Sequence, residues 1–302
     1  MKTRALSFSH AAEAVPPHAW FGVSAAFHYL GPSFAVLLFP AVGVLGVAWL
    51  RISTAAFVFA TWTKPWRTFA RAAPRERFLL LSLGACLAVM NTSLYLALDQ
   101  LPMSLVAAIE FVGTIGVALY GMRTRRNLLA LALAVVGVFV LIDVRWVSEP
   151  LGLLWALLNG GLFVGYILLG HRIAEGGASD GVERLGAAMG AAFLFVMPIG
   201  FTQALGAVAS NPALLLAGVG VGVCSSVIPY VCDQLAMSRL PRASFALLLA
   251  LLPATAAVIG AAVLAQIPSA RDVVGILLVM AGVALHRPAP EAAREDAAAG
   301  AA

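Results

Sequence analysis

Charge is what this chain has least of. Only 11% of its 302 residues are Asp, Glu, Lys or Arg, while 62% are hydrophobic. Mean hydropathy is +0.96, and soluble domains use roughly 45–50% apolar residues. That shortage excludes a soluble globular protein and leaves an integral membrane protein. Cysteine is scarce too: Cys86, Cys224 and Cys232 all lie in apolar runs, with neither CxxC nor metal-ligand spacing. A disulfide framework and a zinc site are thereby excluded, and small buried side chains remain. Catalytic signatures are missing as well, with no HExxH, GxSxG, paired His/Asp cluster or Gly-rich phosphate loop. Nothing therefore points to an enzyme, a metal or a cofactor. The opening MKTRALSFSHAAEAVPPHAW has no apolar h-region and does not read as a cleaved signal peptide.

What the chain has in abundance is apolar runs. At about 20 residues per span, they predict an all-α membrane fold of about ten transmembrane helices. These lie near 19–40, 42–63, 77–98, 103–121, 127–144, 150–171, 182–206, 213–236, 243–265 and 271–286. When the loops are assigned alternately to two sides, the side carrying both termini receives every Lys and Arg except Arg51, Arg145 and Arg271. Loop cations are enriched on the cytoplasmic side, so both termini are expected there and the even helix count gains independent support. The formal charge of +5 is then a topology signal and calls for no nucleic-acid partner. The polar, Pro/Ala-rich tail at 288–302 is expected to be disordered. The Ala/Gly-rich spans fit a monomer or a homodimer equally well.

LYLALDQLP at 94–102 lies over DQLAMSRLP at 233–241, matching Leu96 with Leu235, Ala97 with Ala236, Leu101 with Leu240 and Pro102 with Pro241. GVFV from Gly137 similarly resembles GVAL from Gly282. The offset of 139 residues (Pro102 to Pro241) carries the third and fourth spans onto the eighth and ninth. A displacement of five spans is odd, so equivalent helices cross the membrane in opposite directions. The expectation is two inverted five-helix repeats, 18–146 and 147–287, after a cytoplasmic segment at 1–17. Inverted repeats build secondary transporters, with a site at the repeat interface.

Several motifs then carry a family resemblance: LFP at 38–40, Leu50-Arg51, KPWR at 64–67, and MN with LYLA between Met90 and Ala97. AIEFVG at 108–113, the most specific, is joined by GYILLGHR at 165–172, IPY at 228–230 and LPRASF at 240–245. The chain resembles the drug/metabolite transporter superfamily of the EamA type, and within it the bacterial threonine/homoserine exporters. The resemblance implies a transporter of the bacterial cytoplasmic (inner) membrane that exports a small polar metabolite, an amino acid such as threonine or homoserine or an analogue. It further implies alternating access with proton antiport, so the partners are a small-molecule substrate, protons and the lipid bilayer. The chain departs from the family at Leu252-Pro253, where Glu-Pro is common, at Ala265-Gln266 in place of Gly-Glu, and at Gly113-Thr114 in place of Gly-Pro. Those departures keep open a non-transporting structural or regulatory protein on the same fold. Import shares every motif named here.

Glu110 stands about eight residues into the fourth expected span. A central acid costs roughly 2.5–3.5 kcal/mol even on lenient insertion scales, so it should face a cavity or a polar partner, and burial favours its neutral form. Glu110 is therefore a proton carrier, or the group that meets a substrate ammonium, or a structural acid paired with Arg51. Thr114, one turn on, shares its face. Asp233 is the second proton-coupling candidate, at a position where related exporters tend to carry Glu. Asp99 reads as a solvated helix-end charge. Arg51 can snorkel to an interface or act as counter-ion to Glu110 or to a substrate carboxylate. Asn91, Tyr95, Asn159, Tyr166, Tyr230 and Gln234 sit on helices expected to enclose the cavity, as substrate contacts or interhelical hydrogen-bonding groups. His28 reads as a packed residue.

Overall fold

The computed structural model describes residues 15–111, 124–142, 148–174, 178–240, 248 and 252–285, and among them there are helices and no strand. Helix α1 (Pro17–Val42) is separated from α2 (Val44–Thr63) by the single residue Gly43. Gly43 at φ 80° and Lys64 at φ 52° take positive dihedrals that a continuing helix does not. After Lys64 come a short α3 (Pro65–Arg71) and then α4 (Pro74–Leu98). Residues 103–111 form α5. Next are α6 (Arg125–Ile142), α7 (Pro150–Ala174), α8 (Ala178–Val196) and α9 (Phe201–Ser210). The chain continues through α10 (Ala213–Met237), α11 (Leu252–Leu264) and α12 (Ala270–Leu285). Proline opens α1, α3 and α4, where its missing N–H has no intrahelical acceptor to lose.

Helices α1, α2, α4, α7 and α10 are long and apolar enough to cross a membrane, and α8 with α9 makes a sixth if that bent pair is one span. The bundle keeps its buried polar groups inside an otherwise apolar interior and turns large apolar side chains outward. Leu216 is 76% and Phe139 68% exposed, while Asn159 and Gln234 are fully buried. With lipid outside there is no hydrophobic drive between helices, so close packing and internal hydrogen bonds must hold them. Helix α4 packs along α7 and α8, α10 along α1 and α2, α2 on α8, and α6 against α12. The tightest crossings fall at small residues. Gly84 of α4 meets Ala188 and Ala191 of α8, and Gly222 of α10 meets Thr54 and the Arg51 carbonyl of α2.

Two expectations change. The span expected at 182–206 is bent by 87° between α8 and α9. Pro198 denies the Leu194 carbonyl its helical donor, and Gly200 at φ 82° turns the chain. The break expected after residue 63 contains the short α3, whose last carbonyls are capped from α4. Arg77 donates through Nε to Phe69 O at 3.0 Å and through Nη2 to Ala70 O at 3.2 Å, as basic side chains do at helix C-termini.

A Cβ at position 84 would come 2.6 Å from the Ala191 Cβ and 2.7 Å from the Ala188 carbonyl oxygen, whereas one at position 161 meets nothing within 4 Å. Gly84→Ala is therefore expected to destabilise the protein by about 1–3 kcal/mol. Gly161→Ala should be neutral or stabilise by up to about 1 kcal/mol. Thermal unfolding of both purified variants in one detergent checks the contrast.

Candidate functional site

Two carboxyls lie inside the bundle, Glu110 at 2% and Asp233 at 5% exposure. Glu110 on α5 reaches α7 because Gly160 leaves room, a Cβ there falling 3.2 Å from the Glu110 Cα. The Asn159 amide of α7 donates to Glu110 Oε1, and the Tyr29 hydroxyl of α1 donates to Oε2 at 3.3 Å. Asp233 on α10 accepts from Ser24 Oγ of α1 at 2.5 Å and from the Tyr166 hydroxyl of α7 at 2.8 Å. Helices α1 and α7 thus each give one donor to each acid. The donors are neutral, and among the described residues neither carboxyl has a cation within 4.0 Å.

Beside Asp233 is a cavity of about 10 Å³ with Ser24, His28 and Tyr166 on its polar side and Phe163 and Leu252 on its apolar side. That volume is about one water. The His28 ring stands edge-on to Tyr29, centroids 5.2 Å apart, and to Phe163 at 5.7 Å. It is packed, as expected from sequence, but packed into the wall of this cavity.

A third buried charge completes the centre. Helix α10 widens into a π turn at Val223–Val227, a feature frequent at functional sites. Proline at 229 then removes the N–H that would bond the Ser225 carbonyl in a regular helix. Arg51 takes that carbonyl through Nη2 at 2.8 Å, while its Nε donates to Ser226 Oγ at 2.8 Å. Nη2 also reaches the Tyr230 hydroxyl oxygen at 3.4 Å, and Tyr230 donates onward to Asn91 Oδ1 at 2.8 Å. The guanidinium lies over the Tyr95 ring, 5.1 Å from its centroid, within cation–π range.

The structure therefore brings Arg51, Asn91, Tyr95, Glu110, Asn159, Tyr166, Tyr230 and Asp233 into the bundle interior as three hydrogen-bonded groups, around Glu110, Asp233 and Arg51, the last two joined by the ring contact of Tyr166 with Tyr230, centroids 5.3 Å apart. It places no ion pair between Arg51 and Glu110 within 4.0 Å. Gln234 is buried beside Gly170 and Gly181, on the α7 and α8 side, and among the described residues its amide makes no hydrogen bond. Thr114 lies outside the described residues. Asp99 is exposed at the end of α4. Sequence reading did not single out Ser24, Tyr29, Ser225 or Ser226 as site residues. Their only signal was a hydroxyl inside an otherwise apolar span.

Residues 150–286 match the EamA-like transporter family. The chain is 35% identical over 234 residues to the threonine/homoserine exporter RhtA of Escherichia coli strain K12, covering 76% of this chain and 77% of that protein. It is 32% identical over 254 residues to the protein of the same name from Salmonella typhimurium strain LT2, covering 83% and 84%. A solved crystal structure of another protein superposes with a TM-score of 0.52 at 17% identity, over 89% of this chain and 96% of that one, which shows a shared fold.

Ser24 and Tyr166 both serve Asp233. Ser24→Ala and Tyr166→Phe are each expected to lower stability by about 1–3 kcal/mol. Combined, they should depart from additivity by more than about 0.5 kcal/mol. Ser24→Ala with Asn159→Ala, which touch different acids, should add within that margin. Unfolding midpoints of the singles and both doubles in one detergent decide it.

Proposed function

The chain belongs to the EamA-like transporter family, and within it we propose that this membrane transporter exports a small polar metabolite in exchange for protons. The substrate proposed is an amino acid such as threonine or homoserine, or an analogue, in keeping with what its relatives are named for. The observation that carries the reading is the pair of buried carboxyls, Glu110 and Asp233, held among the described residues by neutral donors in the middle of an apolar bundle. A carboxyl so held takes a proton or a substrate ammonium, not both at once. Mutual exclusion at one group is enough to link two fluxes in opposite directions, and a proton returning through Glu110 resets the outward state.

The architecture we propose is ten spans in two inverted repeats, 18–146 and 147–287. In that scheme α1, α2, α4, α5 and α6 correspond to α7, α8–α9, α10, α11 and α12. Exchanging the two sets carries the packing of α4 on α7 and α8 onto that of α10 on α1 and α2, and returns α6 with α12 to itself. Gly84 and Gly222 mark corresponding crossings, and Gly137 and Gly282 each abut backbone of the other's helix. The site then falls at the repeat interface, with Asn91, Tyr95, Thr114, Asn159, Tyr166, Tyr230 and Gln234 as substrate contacts. Its cavity of about 10 Å³ is too small for an amino acid. That fits an occluded stage of alternating access, which opens when the halves rock. The basic loops support a cytoplasmic location for both termini.

The apolar wall of Phe163 and Leu252, with no acid at 252 or 266, favours the second reading, a protein that keeps the fold without transport. Purified protein in liposomes under an imposed pH gradient distinguishes the two. Wild type is expected to drive radiolabelled threonine, homoserine or another solute of a small panel against the proton flow. Glu110→Gln, which can hold neither a proton nor an ammonium there, should lose gradient-driven accumulation and weaken solute exchange. Equal transport by both proteins would make Glu110 structural, and solute moving with the protons would make the protein an importer. No movement of any solute by wild type supports the second reading.

A further inference from the structure

Arg51 is a buried cation for which the network described above gives no counter-ion. It is 2% exposed, its hydrogen-bond partners Ser225, Ser226 and Tyr230 are all neutral, and among the described residues no carboxylate lies within 4.0 Å. Among the described residues its Nη1 has no hydrogen-bond partner. A guanidinium at membrane depth is expensive, so it ordinarily pairs with an acid or marks a substrate path. A guanidinium needs acceptors for five N–H groups, and this one is fixed by Nε and Nη2 so that Nη1 is the end left over. Fixing it has taken special backbone. The π turn and Pro229 free the carbonyl that holds Nη2, and Tyr95 supports the flat face. A planar fork held on one side, with Nη1 left without an acceptor, is suited to a carboxylate.

We propose that Arg51 receives the carboxylate of the transported substrate, and that the substrate is a zwitterionic α-amino acid whose ammonium goes to Glu110. This rests on the exporter reading, which already names an amino acid, and assigns the side chain that recognises its carboxylate. The carboxylate supplies the negative charge that the network lacks and the acceptor that Nη1 lacks. The ammonium supplies Glu110 with the cation that, among the described residues, it does not have within 4.0 Å. Arg51 and Glu110 form no ion pair within 4.0 Å, and a zwitterion carries a charge of the sign that each of them lacks there. An amine without a carboxylate, or a neutral polyol, satisfies one end at most.

The test is binding to the purified full chain in lipid nanodiscs. A panel of α-amino acids including L-threonine and L-homoserine is titrated, and for each one bound the corresponding amino alcohol is titrated too, in which CH2OH replaces the carboxylate. Wild type is expected to bind the amino acid about 10–100-fold more tightly than its alcohol. Arg51→Gln should bind the two about equally, at the alcohol's affinity. Should Arg51→Gln fail to fold, Arg51→Lys keeps the charge and loses the fork. It should weaken amino-acid binding about tenfold and leave the alcohol unchanged. Wild-type binding that ignores the carboxylate, or a full preference retained in the variant measured, overturns the assignment and leaves the exporter reading standing. Wild type that binds no amino acid of the panel overturns both.

Discussion

Hydrocarbon offers no hydrogen bonds, so a polar group at membrane depth must find its partner on another helix, and the interior of this protein is arranged around that demand. Glu110 holds α5 to α1 and α7, Asp233 holds α10 to the same two helices, and Arg51 holds α2 to α10. Magnitudes argue that these groups are not there for stability. A centrally placed acid or arginine costs roughly 2.5–3.5 kcal/mol, and a neutral hydrogen bond returns about 0.5–1.5 kcal/mol. Two such bonds per carboxyl come near to offsetting the insertion and no more. Apolar residues of similar volume would hold the bundle as well, so the charges are better explained by what passes through it.

The fold was legible because its signal is composition. Apolar runs of span length located α1, α2, α4, α6, α7, α10 and α12 to within a few residues. The 87° break between α8 and α9 escaped because Pro198 and Gly200 sit inside a run whose hydropathy never falls. The acids were legible for the opposite reason, since Glu110 and Asp233 contradict their surroundings. Their partners were not. Ser24, Ser225 and Ser226 are small enough to pass as packing residues, and nothing in one sequence says which face of α1 meets α10. Arg51 stood out alone, and pairing it with Glu110 was one natural expectation. The structure satisfies it from a serine carbonyl instead, made available by a proline 178 positions away along the chain (Arg51 to Pro229).

The departures from the family pattern look different once they are placed. Gln266 is not in the polar network. Its Oε1 accepts from the Met103 N–H at 3.1 Å, capping the first turn of α5, the helix that carries Glu110. A helix N-terminus wants an acceptor there and takes an amide as well as a carboxylate, with only the charge–dipole part lost. Leu252 is in the cavity wall with Asp233, where a second acid would have stood against the first. Replacing that acid with leucine leaves Asp233 as the carboxyl of the wall and removes like-charge repulsion. Neither change strips the centre of a group that the remaining network needs.

The way the donors are shared also suggests how a bound proton or ammonium reaches the rest of the protein. On the proposed repeat, Glu110 takes Tyr29 from its own half and Asn159 from the other, while Asp233 takes Tyr166 from its own half and Ser24 from the other. Each carboxyl is thus held by one bond that survives a rigid rocking of the halves and one that such a rocking breaks. Opening the interface frees Glu110 Oε1 and Asp233 Oδ1 together, without disturbing the tyrosines that orient both groups. A closed interface satisfies those oxygens with protein donors, and an open one offers them to whatever enters. A proton or an ammonium that binds there competes with the interface itself. Its binding is therefore linked to opening by the free energy of two hydrogen bonds, a population shift that needs no longer pathway.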